Sequence, residues 1–123
     1  MDWKIELIFV PVTDVDRAKE FYTRIGFHAD HDATPYPGVR FVQLTPPGSA
    51  CSIAIGTGLG SGVEPGGLDV IQVVVADADA ALAQLREVGV DAQGVDEQDW
   101  GRFVTFTDPD GNSWTLQQLP ARD

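Results

Sequence analysis

Side chains able to do chemistry are sparse in this chain, and only one run of ligand-type residues stands out, His28-Ala29-Asp30-His31-Asp32. On a strand, alternation sets His28, Asp30 and Asp32 on one face and His31 on the other. That arrangement could form a small metal or acid–base site, because a carboxylate beside an imidazole fixes its tautomer; with only one imidazole pointing each way, the plainer reading is an exposed polar strand end. Gln72 interrupts the otherwise apolar Val70–Val75. A buried amide needs hydrogen-bond partners, so Gln72 is either satisfied inside the core or turned toward a ligand. Gln117 is read the same way, and Gln43 stays open because the parity of its strand is not fixed. Trp100 offers a ring face to a planar or cationic molecule, or a hydrophobic plug. Arg40 and Arg102 suit a carboxylate ligand or structural salt bridges. Neither Cys51 nor any serine has the His–Asp surroundings of a nucleophile. The run Gly56-Thr57-Gly58-Leu59-Gly60-Ser61-Gly62 superficially resembles a phosphate loop. No helix is expected after it, so it reads as a flexible linker.

The scaffold for these groups is one domain's worth of chain: 123 residues, 43% hydrophobic, with a net charge of −11. Residues 1–63 carry five Lys/Arg against seven Asp/Glu, and residues 64–123 carry three against twelve. A field of that sign repels phosphate backbones, so nucleic acid is not an expected partner, whereas a cationic ligand would be drawn in. No apolar run approaches the ~18 residues that span a bilayer, so no membrane association is expected. Met1-Asp2-Trp3-Lys4 lacks the layout of a secretion signal. A single cysteine, Cys51, forms no internal disulfide, and the expected location is the reducing cytoplasm.

The elements that must position these groups are written twice. Residues 8–29 laid over 71–92 match at eight of 22 positions without a gap, among them Val10/Val73, Asp14/Asp77, Asp16/Asp79, Ala18/Ala81 and Gly26/Gly89. Farther on, Arg40-Phe41-Val42 recurs as Arg102-Phe103-Val104. Ile5–Val12 and Leu68–Val75 read as strands. Each runs into an Asp-x-Asp that suits a helix N-terminus. Helical spacing follows at Val15, Ala18, Tyr22 and Ile25, and at Ala78, Ala81, Leu85 and Val88, and Gly26 and Gly89 close the helices. Further strands are expected near 27–31, 39–45 and 51–56, then 90–95, 102–107 and 113–119, with turns at Pro46-Pro47-Gly48 and Asp108-Pro109-Asp110-Gly111. The order is βαβββ twice, an α+β protein with helices on one face of its sheets. The recurring β-branched face (Ile8, Val10, Val12; Ile71, Val73, Val75) is expected to pack on the helices. The opposite face (Leu7, Phe9, Pro11; Val70, Gln72, Val74) is expected to line a cavity.

A paired βαβββ unit carrying Val12-Thr13-Asp14-Val15-Asp16-Arg17-Ala18-Lys19-Glu20-Phe21-Tyr22, then Gly26-Phe27, resembles the vicinal oxygen chelate superfamily. Trp100-Gly101-Arg102-Phe103 leading into Asp108-Pro109-Asp110-Gly111-Asn112 adds to the likeness. This is the superfamily of glyoxalases, bleomycin resistance proteins and extradiol dioxygenases. The resemblance implies a single domain over residues 1–123: module one about 1–60, a glycine-rich linker 56–67, and module two about 68–119. It also implies that the modules form a curved, half-open mixed-sheet barrel with helices outside. Homodimers are common in the family, so a homodimer is expected.

Metal-dependent relatives take one ligand from the first and one from the last strand of each module. Counting from Asp14 and Asp77 places these positions at Leu7 and Val70, and at Ser52 and Thr115, each pair 63 apart. Leu and Val cannot coordinate, and neutral hydroxyls are poor ligands for a divalent ion. The expectation is therefore no metal, no cofactor and no metal-dependent glyoxalase or dioxygenase activity. The leading reading is a protein that binds or sequesters a small organic molecule between the modules. Leu7, Phe9, Ala54 and Val70 would form its apolar walls, Ser52, Gln72, Thr115 and Gln117 its polar contacts, and Trp100 a stacking lid near the mouth. The alternative is a metal-independent lyase or isomerase acting on a small carbonyl or hemithioacetal-like compound. A module that only docks a partner is a third reading.

Overall fold

A computed structural model of the protein describes residues 2–59, 64–68 and 70–121. The chain runs β1 (Leu7–Phe9), α1 (Val15–Arg24), β2 (His28–Tyr36), β3 (Val39–Thr45), β4 (Ser52–Thr57), then β5 (Ile71–Val74), α2 (Ala78–Glu87), β6 (Gln93–Gln98), β7 (Gly101–Thr107) and β8 (Ser113–Gln118). These form two mixed four-stranded sheets, ordered β1-β4-β3-β2 and β5-β8-β7-β6, and they do not close into a barrel. In each sheet the first strand is parallel to the last and the other pairings are antiparallel. This is the doubled βαβββ order expected from the repeat. Residues 60–63 of the glycine-rich segment lie outside the described residues.

The local causes are the ones the sequence suggests. The Asp14 and Asp77 side chains cap their helices by accepting from the Arg17 and Ala80 backbone N–H groups. Just past the helix ends, Gly26 and Gly89 take φ of +112° and +88°. The first strand is shorter than expected: its last ladder bond is Val10 N–H to the Ala54 carbonyl, 2.9 Å. Pro11 follows and has no N–H to continue it. The second strand is longer than the 27–31 segment, because β2 continues to Tyr36 and turns back through Pro37-Gly38 into β3.

Each helix packs on one face of its own sheet, and these helix-bearing faces share a single core. Val42, Leu44, Ile53 and Ile55 lie under Phe21 and Tyr22 of α1; Val104, Phe106, Trp114 and Leu116 join Leu82 and Leu85 of α2. Aromatic rings cross the boundary between modules: Tyr22 and Trp114 centroids are 5.8 Å apart, and those of Phe21 and Phe106 6.2 Å. A polar joint is buried with them. Tyr22 Oη donates to Asp108 Oδ2 at 2.6 Å and accepts from Trp114 Nε1 at 3.1 Å. Asn112 Nδ2 donates to that same Asp108 oxygen and to the Pro11 carbonyl. Burial, then the Asp108 charge, pushes the Tyr22 phenol far above its ordinary range, so it remains a donor at any physiological pH. With the helix-bearing faces turned toward a common core, the other face of each sheet looks outward.

Candidate ligand-binding site

The strand registers settle which side chains share these open faces. In module one, Leu7 lies beside Ser52 and Phe9 beside Ala54; Gln43 pairs with Ala54 across β3–β4 and with His31 across β2–β3. In module two, Gln72 lies beside Thr115, and Thr115 pairs with Thr105; Gln117 pairs with Phe103. The diverged strand face therefore carries open-face residues, as the repeat suggests. The recurring face goes inward, with Val10 buried and Ile71, Val73 and Val75 packed against the core.

Each open face carries its own polar system. On module one, Gln43 Nε2 donates to Ser52 Oγ (3.2 Å), Ser52 and Thr45 hydroxyls are 2.6 Å apart, and Thr45 Oγ1 donates to Asp30 Oδ2. On module two, Gln72 Nε2 donates to Gln117 Oε1 (2.7 Å) and Gln117 Nε2 to the Trp100 carbonyl (3.0 Å). Gln72 and Gln117 thus satisfy one another at the surface rather than in the core. Around these groups the faces are apolar and open: Phe9 is 45% exposed, Val70 55%, Val74 63% and Trp100 62%.

The loop that places Trp100 depends on Gly101. Its φ is +153°, and a Cβ there would sit 2.8 Å from the Gln118 carbonyl and 3.2 Å from Gln117 Cγ. Only glycine lets the chain pass so close to β8.

The nine expected site residues do not enclose one cavity within a single chain. Leu7, Phe9, Ser52 and Ala54 belong to the first open face, and Val70, Gln72, Trp100, Thr115 and Gln117 to the second. Among the described residues, no strand of one sheet lies beside a strand of the other. A crevice of about 750 Å³ does run between the modules. It lies on the helix-bearing side, lined by Ile8, Phe27 and Ile53 from module one and Ile71, Val73 and Trp114 from module two, and it takes in Cys51, Ser52 and Gln72.

Two sequence placements need correction. The 63-residue spacing does not hold on the last strand: Ile53 and Trp114 occupy equivalent places, each paired to its third strand at Leu44 and Phe106. Module one has one extra residue between Gly26 and Arg40 and a β3–β4 connection one residue longer than β7–β8, so Thr115 corresponds to Ala54 and Ser52 to Ser113. The ligand-type run also divides differently. A bulge between Ala29 and His31 turns Asp32 to the helix-bearing side, where Arg40 grips both its oxygens and Lys19 adds a third bond. Those contacts, Arg40 first, hold the Asp32 carboxyl well below the usual range. His31, expected on the face opposite Asp30, instead joins it with Thr45 and Gln43 on the open face.

Arg40 and Arg102 act structurally. Each ties its strand to the acidic first turn of the helix above, through Asp16 and Asp79 respectively. What sequence reasoning missed on module one is the hydroxyl chain. Its signal was available: Phe41, Gln43 and Thr45 alternate along a strand whose intervening Val42 and Leu44 are buried.

The family metal site does not fit this chain. Leu7, Val70 and Ala54 have no donor atom, and Thr115 contributes only a neutral hydroxyl. Among the described residues, no group of three His, Cys, Asp or Glu side chains is placed to hold a metal ion.

A family model for the Glyoxalase/Bleomycin resistance protein/Dioxygenase superfamily matches residues 4–116. The chain belongs to this superfamily. Within it, the chain is similar to TnmS3, an antibiotic binding protein from Streptomyces sp. CB03234. The two are 34% identical over 97% of this chain and 98% of that one, with a TM-score of 0.86. A superfamily member from Sphaerobacter thermophilus DSM 20745 is 31% identical over 95% of this chain and 98% of that one, at a TM-score of 0.79. Among curated proteins, the uncharacterized protein YetH of Bacillus subtilis is 27% identical over 118 residues, 94% of this chain and 98% of its own. Superfamily membership accounts for the doubled βαβββ unit and leaves the chemistry to the residues on its open faces. Among the described residues, no helix is long and apolar enough to cross a membrane.

Proposed function

We propose that this superfamily member binds a small organic molecule without transforming it and without a metal ion, in the cytoplasm. The observation that carries the reading is the pair of open sheet faces, apolar and aromatic with a few amides and hydroxyls, at the strand positions where the metal-dependent relatives hold their ion. Such a lining, mostly apolar with sparse fixed polar groups, is that of a ligand pocket. TnmS3, built on the same fold, is an antibiotic binding protein, which supports the same use here.

One face is half a pocket, and the reading includes a homodimer that completes it. Among the described residues the outer edges of β1 and β5 have no partner strand, and Ile5, Phe9, Val70 and Val74 stand exposed along them. Unpaired edges beside exposed apolar side chains favour a second chain over water. In a two-fold dimer, Leu7, Phe9, Ser52 and Ala54 of one chain would face Val70, Gln72, Trp100, Thr115 and Gln117 of the second copy, giving two equivalent pockets. The crevice behind β1 and β5 would be covered by the same contact.

The test is a titration with acridine, a neutral planar heteroaromatic, on chelator-treated protein, read by tryptophan quenching alongside sedimentation equilibrium. Saturable binding by a dimer, with the acridine recovered unchanged, is expected. A monomer that fails to quench, or binding that appears only when zinc is restored, would contradict the reading. A carbonyl compound consumed catalytically by chelator-treated protein would favour a metal-independent lyase or isomerase instead.

A further inference from the structure

The described basic side chains from Arg17 to Arg102 are all engaged away from the open faces. Arg17 meets Thr13 and Asp110; Lys19 and Arg40 meet Asp32; Arg24 meets Glu20 and the Val88 carbonyl; Arg86 meets the Ala92 carbonyl; Arg102 meets Asp79 and Glu97. Asp30, two residues from the doubly paired Asp32, receives none of them. Among the described residues its one ion-pair neighbour is His28 Nε2, 3.7 Å from Oδ1, on a side chain that is mostly in solvent.

The hydrogen-bond chain on this face has a direction. A carboxylate only accepts, so the Thr45 hydroxyl gives its proton to Asp30. With that proton committed, the 2.6 Å contact requires Ser52 to donate to Thr45, and Gln43 Nε2 donates to Ser52. Ser52 is buried, 4% exposed, so this order is held from within the sheet. Both hydroxyl protons therefore point toward Asp30. What the face still offers a ligand at Asp30 is a charged acceptor, Oδ1, with Gln43 Oε1, the second Gln43 N–H and the His31 ring farther along, set among Leu7, Phe9 and Phe41.

We infer that Asp30 anchors the ligand, and that the ligand is an apolar or aromatic molecule bearing a protonated amine. The inference rests on the small-molecule reading above and names the class of molecule it takes. An ammonium group supplies the charge-assisted donor that Asp30 receives from none of those Lys and Arg side chains, and a flat apolar body suits the exposed rings of Phe9 and, across the pocket, Trp100.

The experiment compares two probes of nearly the same shape at neutral pH, 9-aminoacridine, which is cationic, and acridine, which is not. Wild-type, Asp30→Asn and Thr45→Val proteins are titrated with each, with circular dichroism confirming the fold. The cation should bind the wild type more tightly than acridine, and D30N should weaken it about 10- to 100-fold, the range for a lost charge-assisted hydrogen bond. D30N should leave acridine unchanged, and T45V, which keeps the charge, should cost the cation less. If both probes bind alike and D30N moves neither, the Asp30 inference is overturned while the pocket stands. If neither probe binds any variant, the pocket reading fails and takes this inference with it.

Discussion

Tyr22→Phe removes a single oxygen from the joint between the modules, and its cost follows from the bonds that oxygen makes. The Tyr22 side chain is wholly buried. Its hydroxyl donates to the Asp108 carboxylate at 2.6 Å and accepts from Trp114 Nε1 at 3.1 Å. A hydrogen bond to a charged group contributes about 1.5–3 kcal/mol, and an indole N–H left without a partner in the core costs about 1–3 kcal/mol. Asp108 Oδ2 keeps Asn112 Nδ2, which limits the damage on that side. The expected loss is about 3 kcal/mol, or roughly 10–15 °C in melting temperature for a chain of this size. Urea unfolding, followed by tryptophan fluorescence and by far-ultraviolet circular dichroism, measures it. Because the joint and the aromatic core cross the module boundary, both signals should shift together in one transition. A loss under about 0.5 kcal/mol, or two separated transitions in the wild type, would refute this account of how the modules are held.

Three further outcomes are expected. Arg40→Met should cost about 1 kcal/mol near neutral pH by releasing Asp16 and Asp32. The Asp32 carboxyl is held below its ordinary range in the folded state. Its contribution is therefore present above about pH 4, the unfolded value, and is lost as the pH falls toward the lowered folded one, so the gap between variant and wild type in urea midpoint should close in acid. A gap that widened in acid would show the sign to be wrong. Gly101→Ala should cost about 2 kcal/mol through its positive φ and the close Gln118 carbonyl, and should shift Trp100 emission by displacing Gln117; an unperturbed spectrum would contradict that link. Melting curves with excess chelator and with excess zinc should superimpose, and a rise of several degrees with zinc would mean that this chain does build a metal site.

Much of the fold was legible because the chain states it twice. Asp14 and Asp77, Gly26 and Gly89, and Arg40 and Arg102 each do the same job in both modules, so one copy checks the other. Legibility failed where the copies differ in length. Two extra residues in module one, one between Gly26 and Arg40 and one between β3 and β4, moved the equivalent of Thr115 from Ser52 to Ala54, and no spacing rule carries across such insertions. A bulge at Ala29–His31 likewise reversed the face of Asp32, because strand parity counts residues and a bulge adds one. The site was legible as a face but not as an enclosure. Alternation tells which side of a sheet Gln72 or Phe9 occupies, whereas the way two sheets lie against each other depends on Tyr22, Asp108 and Trp114 meeting across some ninety residues of sequence.

The central claim, that the open face of module one works with the open face of module two on a second chain, is tested most directly by mixing two blocked variants. Gln43→Trp fills the first face and Thr115→Trp the second, both at half-buried positions. Each variant alone has no free pocket and should bind no acridine. After unfolding and refolding the two together, each heterodimer has one pocket made of two unblocked faces. Binding capacity should then return to about a quarter of the wild-type value, as random pairing requires. If the mixture binds no more than either variant alone, or if either variant alone binds at full capacity, the shared pocket does not exist.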